Sequence, residues 1–484
     1  MGFFTRRPSG DLDHPLDRWS PSDPWTVRHA CANTLIVGKT GSGKSTGAGD
    51  HCLRAVVRHR NSGGAIFAAK PEDKAYVMRV FREERTLHDL YLLEPGGLAR
   101  FNVLDYERSR GADVRDLTQA CMTFKETLTR TEQGGGGGGG GDDMAYFAGQ
   151  ERMMLHNAIQ VLLLATGRVD PWAIQCFVTG AAISLEETND VKWQDSYHYK
   201  MLQEAKARAG EGRDKHDYDL AEQYWTFQLP RLNERTRTSI EAGVYGTLHA
   251  MNTGTARELL ATTTNISPEL LEQRKWLLVN APIAPGDVTS AVINSAVKYA
   301  LQRHIIKRQA TPGDPLLCIF CDEFQKLANS YDAMFLAECR SHKGCLIALT
   351  QSIHAMYANL HGKGGEHQVD SLLTNFGHVV VHTLGDAKSA KMWSDVLGSR
   401  REVFIGTTAQ PKGEELFEVL MGRSQLSVSA SERYEPVVQP AVFLSGLRCG
   451  GPENGNVVDG VVIRSGQPFR HSGENYLITS FRQR

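Results

Sequence analysis

The chain has 484 residues, 41% of them hydrophobic and 23% charged, with a formal net charge of -1. That length and apolar share suit about two to four folded domains with a sizeable core and exclude a disordered or fibrous chain. The near-zero charge excludes a globally basic composition, so any contact with nucleic acid has to rest on local clusters.

Residues 1–27 are polar and proline-rich and read as an N-terminal tail. The run Asn33-Thr-Leu-Ile-Val-Gly38-Lys-Thr-Gly41-Ser-Gly43-Lys44-Ser45-Thr46 follows and places a short apolar strand directly before a Gly-x4-Gly-Lys-Ser phosphate loop. In such a loop the glycines turn backbone N–H groups inward on a triphosphate, the lysine reaches the β- and γ-phosphates, and the serine hydroxyl takes a place on Mg²⁺. The candidate nucleotide-binding residues are Gly38, Thr40, Gly41, Ser42, Gly43, Lys44, Ser45 and Thr46, the helix N-terminus adding its dipole.

A strand at 65–67, a helix at 72–84 and a strand at 90–93 continue the alternation of a parallel sheet with covering helices. Eight glycines at 134–141 read as a flexible tether. Beyond 147 the pattern turns helical, with Met153, Met154, Leu155, Ile159, Leu162 and Leu163 at helical spacing and a polar stretch at 186–223. Residues 147–264 therefore read as an inserted all-helical domain. It splits an α/β domain into 28–146 and 265–484, which resumes with a strand at 276–280 and a helix at 288–307.

Residues 315–321 are a buried strand that ends in Asp322 and Glu323. Alone, two acids at a strand end read equally well as solvated residues. Beside a phosphate loop they form a Walker B pair, Asp322 supporting Mg²⁺ and Glu323 polarising the attacking water. A strand at 345–350 ends in Gln351, a candidate sensor of the γ-phosphate, and Arg340 ahead of it is a candidate finger toward a neighbouring subunit. On spacing alone both are equally compatible with a strand cap and a solvated arginine. Apolar runs at 457–463 and 475–480 are expected to complete the sheet or pack on its edge.

The clusters Arg231, Arg235, Arg237 and Lys200, Lys206, Arg208 are candidate nucleic-acid contacts, though such runs more often form solvated helix faces. The nine cysteines are scattered, as in a reducing compartment. Cys318 and Cys321 lie inside the apolar strand and behave as small hydrophobes rather than metal ligands.

The combination of Gly38–Ser45, Asp322-Glu323-Phe324, Arg340 and Thr350-Gln351-Ser352 resembles the coupling-protein ATPases of type IV secretion systems, the TraG/TraD-like branch of the HerA/FtsK superfamily. Phe67-Ala-Ala-Lys70, Arg100-Phe101-Asn102-Val-Leu104, Leu373-Thr-Asn375 and Lys388-Ser-Ala-Lys-Met-Trp are similar to further elements of that family. The resemblance implies a RecA-like P-loop core, ATP and Mg²⁺ as cofactors, and a hexameric ring of identical subunits with DNA, single- or double-stranded, in the channel. It also implies a secretion-channel, relaxase or nuclease partner. Lys44 and Ser45 would then hold triphosphate and metal, with Asp322, Glu323, Gln351 and Arg340 in the roles given above.

Two departures stand out. Ala68 and Ala69 replace the acidic residue expected before the Lys70 position. No segment reaches the roughly 18 apolar residues of a membrane span, so a cytoplasmic protein that reaches the inner membrane only through a partner is expected. Three other readings stay open: a HerA-like motor with a nuclease, a translocase of protein substrates, and a nucleotide-switched scaffold.

Overall fold

A computed structural model describes residues 11–132, 141–284, 287–360, 365–411 and 424–484. Most of the glycine run expected as a tether lies outside the described residues. Gly141 opens the helix Gly141–Thr166.

The strands, in chain order, are β1 (Pro15–Ser20), β2 (Asp23–Thr26), β3 (Thr34–Val37), β4 (Ser62–Phe67), β5 (Leu90–Leu93), β6 (Trp276–Val279), β7 (Leu316–Cys321), β8 (Gly344–Thr350), β9 (His378–Val381), β10 (Ser399–Pro411), β11 (Ser424–Pro436), β12 (Val457–Arg464) and β13 (Tyr476–Arg482). Nine of them form one sheet in the order β13-β12-β9-β3-β8-β7-β4-β6-β5. From β9 to β5 every neighbouring pair is parallel, while β12 and β13 join antiparallel at one edge.

The central strands are short apolar runs because both faces are covered. Side chains alternate across the sheet. Leu35, Val37, Leu317, Ile319 and Cys321 pack into the core on one face, and Ile36, Leu316, Cys318 and Phe320 into the core on the other. The helix Val288–Lys307 is buried along most of its length. Inside it the Lys298 ammonium meets both oxygens of Asp332 at 2.9 and 2.6 Å, with both side chains fully buried.

The mainly parallel α/β architecture with an added helical part is as expected, but two boundaries differ. Residues 15–26 form the hairpin β1–β2 rather than a tail. Trp19 and Trp25 anchor it at 2% and 0% exposure, Trp19 packing on Phe481 of β13, so two aromatic anchors outweigh the surrounding prolines. The helical part begins before 147. Helices Val103–Ser109 and Val114–Glu132 precede it, and residue 147 falls inside the helix Gly141–Thr166. Leu117, Cys121, Phe124 and Leu128 recur at helical spacing and are buried, which ties the helix Val114–Glu132 to the same core.

Among the described residues no single helix is long and apolar enough to cross a membrane. One bent pair, Ala145–Thr166 and Pro171–Thr179 at 111°, passes on length and composition. Its apolar residues Leu155, Ile159, Leu162, Ile174 and Phe177 are buried in the helical core.

Candidate functional site

The phosphate loop leaves the C-terminal end of β3, in the middle of the sheet. Gly41 and Gly43 take φ of 77° and 79°, the left-handed region that glycine enters without a Cβ penalty. At Gly43 a Cβ would also lie 2.5 Å from Val458 Cγ2, so this glycine makes room for the first residues of β12. Among the described residues, the backbone N–H groups of Gly41, Gly43 and Lys44 donate to no protein acceptor. Lys44 is buried, Gly43 half-buried and Gly41 exposed, and the oxygens of a phosphate chain would give all three donors one shared partner.

Strand β8 separates the phosphate-loop strand from β7, whose end carries the two acids. This lateral order brings Ser45, Asp322, Glu323, Lys44 and Gln351 together. Ser45 Oγ donates to Asp322 Oδ2 at 2.8 Å. Two hard oxygen ligands are thus adjacent at the head of the loop, a donor set that fits Mg²⁺.

The chain turns sharply at Glu323, a non-glycine residue with φ of 48°. A left-handed backbone in a carboxylate residue stores strain of the kind that clusters at functional sites. Beyond the turn the Glu323 side chain is enclosed, with the residue 2% exposed. There Gln351 Nε2 donates to both carboxylate oxygens at 3.1 and 3.0 Å, and Gln325 Nε2 donates at 2.5 Å. Lys44 Nζ lies 3.6 Å and Lys70 Nζ 3.7 Å from Glu323 Oε1. Burial pushes the Glu323 pKa up, but Lys44, Gln351, Gln325 and Lys70 together outweigh it and hold the carboxyl below its ordinary value. Glu323 is therefore a carboxylate at neutral pH, able to accept a proton.

Lys70 is a site residue that spacing did not single out. It follows β4, which pairs with β7, so the two strand ends bring it to Glu323. The missing acid at Ala68 or Ala69 is replaced from the other side of the turn. Asp73 Oδ2 accepts the N–H groups of Ala69 and Lys70, both at 2.8 Å, and so fixes the turn from which Lys70 projects. His382, just past β9, is a second such residue. It is fully buried, its Nδ1 bonds the Asp459 carbonyl at 2.8 Å, and burial holds its pKa down to about 4. The neutral ring packs near Gly47, and the His382 Cβ lies close to Gly38. The signal for both was a polar residue just past an apolar strand, visible only once the strand order is known.

Arg340 is not brought to this cluster. It lies in the turn Cys339–His342, at the N-terminal end of β8, whereas Gln351 follows its C-terminal end. Seven residues of strand separate the two, a span of roughly 23 Å. Arg340 is exposed and makes no ion pair with the described residues.

Of the expected basic residues only Arg237 is withdrawn from the surface, while Lys200, Lys206, Arg208, Arg231 and Arg235 are exposed. Arg237 is buried, its guanidinium bonded to the Ile183 carbonyl at 2.6 Å. Arg231 stacks over Phe227, Lys206 pairs with Glu222, and Arg208 with Glu204. Cys318 and Cys321 are fully buried in β7, and no group of His, Cys, Asp and Glu side chains among the described residues is arranged to hold a metal.

A mainly parallel sheet with a phosphate loop on an interior strand, an acid pair two strands away and a glutamine on the strand between defines the class of RecA-like P-loop NTPase folds. Within it, residues 316–444 match the family described as the TraM recognition site of TraD and TraG. The fold is similar to that of the plasmid coupling protein TrwB in complex with the non-hydrolysable GTP analogue GDPNP, with a TM-score of 0.58 and 13% identity over 97% of this chain and 89% of that one. TrwB in complex with ADP and Mg²⁺ is similar at TM-score 0.56 and 14% identity, over 96% and 87% of the two chains. TrwB with a non-hydrolysable ATP analogue follows at 0.54 and 15%, over 97% and 89%. No curated protein sequence matches the chain. The resemblance to the coupling-protein ATPases read from the sequence is borne out by this fold and by the family match.

Proposed function

We propose that the chain is an ATP-hydrolysing motor of the coupling-protein type, working as a ring of identical subunits on DNA. The observation that carries hydrolysis is the buried Glu323 carboxylate, kept charged by Lys44 and Lys70 and aimed by Gln351. A protein that only switched on nucleotide binding would not need a base held ionised in this way.

Lys44 and the N–H groups of Gly41 and Gly43 would hold the phosphates of ATP. Ser45 and Asp322 would hold Mg²⁺, which when bound draws charge from the β- and γ-phosphates. Glu323 accepts the proton of the attacking water, and Gln351, bonded to both of its oxygens, keeps that carboxylate turned toward the γ-phosphate end of the site. Solved TrwB structures with ADP and Mg²⁺ and with nucleotide analogues support this assignment.

The placement of Arg340 supports the ring. An exposed cation at the opposite end of the sheet from its own Lys44 fits a role at a neighbour's site. DNA as the polymer rests on the likeness to conjugative coupling proteins, and a relaxosome protein as partner on the TraM recognition family.

The test is the steady-state ATPase rate without nucleic acid, then with single-stranded DNA, double-stranded DNA and RNA at two salt concentrations. A several-fold stimulation by DNA that fades as salt rises is expected. A steady basal rate that none of them changes would move the reading to a protein translocase or a scaffold.

A further inference from the structure

The site described so far accounts for the phosphates and leaves open where the nucleoside goes. The sheet order gives a direction. Glu323 and Gln351, which mark the γ-phosphate end, lie on the β8–β7 side of the phosphate loop, and Lys44 of the loop reaches to within 3.6 Å of Glu323. The α-phosphate and whatever it carries must then leave toward the other side, where β9, β12 and β13 lie.

That side is lined by residues more than 400 positions away in sequence. Val458 packs on Gly43 and Gly47, and the Cys449 carbonyl comes within 3.1 Å of a Cβ position on Gly43. Gln483, just past β13, reaches the loop itself. Its Nε2 donates to the hydroxyl of Thr46, one residue beyond Ser45, at 2.6 Å. Its Oε1 accepts the Gly451 N–H at 2.8 Å, and its own backbone N–H donates to the Asn456 carbonyl at 2.9 Å.

The Gly450–Gly451 turn is shaped for this contact. Both glycines have positive φ, 87° and 83°, and a Cβ on Gly450 would lie 2.4 Å from Gln483 Oε1. Side chain, turn and loop therefore form one fixed wall. A glutamine amide carries two N–H donors. One is used on Thr46, and the second has no partner among the described residues.

We propose that Gln483, held by the Gly450–Gly451 turn, is a nucleoside-binding residue of this site, donating its amide to the ribose or base of the bound nucleotide. The inference rests on the reading of the phosphate loop as an ATP site. It assigns to the β12–β13 edge the recognition of the nucleoside and to the β7–β8 side the recognition of the γ-phosphate.

Inorganic tripolyphosphate has the phosphates of ATP and no nucleoside, so it separates the two ends of the site. Calorimetric titration of the full chain with a non-hydrolysable ATP analogue and with tripolyphosphate, both with Mg²⁺, would be compared for the wild type, Gln483→Ala and Gln483→Met. The methionine keeps the length of the side chain and removes its donors. Both variants should bind the analogue about three- to tenfold more weakly, the worth of one hydrogen bond. Their affinity for tripolyphosphate should change less than about twofold. Equal losses for both ligands would show that Gln483 acts only by bracing the phosphate loop and would overturn the proposal, as would unchanged affinity for both. Failure of the wild type to bind either ligand would instead overturn the ATP-site reading, and this inference with it.

Discussion

Gln351 and Glu323 sit on the ends of neighbouring strands and share two hydrogen bonds, Nε2 donating to Oε1 at 3.1 Å and to Oε2 at 3.0 Å. The pair fixes a buried carboxylate beside Lys44. Replacing Glu323 by glutamine keeps the shape and removes the base. Glu323→Gln should bind ATP yet hydrolyse it on the order of a hundredfold more slowly or worse, whereas Lys44→Ala should lose both binding and turnover. Single-turnover hydrolysis together with nucleotide titration measures this, and near wild-type hydrolysis by Glu323→Gln would remove the role assigned to it.

Lys70 should matter for chemistry more than for binding. Its ammonium lies 3.7 Å from Glu323 Oε1 and is half-exposed. Lys70→Ala should lower kcat by roughly tenfold to a hundredfold, less than the roughly hundredfold to thousandfold of a fully enclosed contact because solvent screens a half-exposed ammonium. Nucleotide affinity should move much less. A variant that loses affinity and keeps kcat would show instead that Lys70 binds ground-state phosphate.

Arg340 is predicted to act on a neighbour. Subunits carrying Arg340→Ala and subunits carrying Glu323→Gln should each be inactive alone, and mixtures should recover part of the ATPase rate. Recovery requires a site built from the intact glutamate of one subunit and the intact arginine of the next. A titration of mixing ratios with no recovery at any point would count against a shared site.

The buried pair Lys298–Asp332 ties the helix Val288–Lys307 to the segment after Glu323. Asp332 also accepts Gln302 Nε2 and the Asn329 N–H. Lys298→Met should destabilise the fold by about 3–5 kcal/mol, because it strands a carboxylate in the core. Adding Asp332→Leu should recover only part of that, since Gln302 and Asn329 lose their acceptor. Chemical denaturation of the three proteins gives the comparison, and a harmless Lys298→Met would contradict the ion pair.

Stability should fall on mild acidification. His198 and His382 are fully buried, and burial holds each folded pKa down to about 4, against about 6.5 in an unfolded chain. Between those values the unfolded chain binds more protons. Each neutral histidine therefore contributes stability that is fully present above about pH 6.5 and is lost, at about 1.4 kcal/mol per pH unit, as pH falls toward 4. Melting temperatures at pH 7.5, 6 and 5 should decline, and a flat profile would refute the assignment.

The phosphate loop and the acid pair were legible in the sequence because each is local. A four-residue apolar strand, glycines at fixed offsets and a lysine-serine pair state their chemistry within 14 residues, and Asp322-Glu323 do so at the end of another apolar run. The parallel α/β core followed from the alternation of short apolar strands with helical periods. Those patterns depend only on backbone conformation and on which side chains share a face. The strand order does not, since it is set by packing between segments hundreds of residues apart. Only the tertiary structure placed β8 between β3 and β7 and so joined Gln351 to Glu323. It alone carried Lys70 into the site from β4, set Arg340 at the far end of the sheet, folded Trp19 and Trp25 onto the core, and laid Gln483 against Thr46.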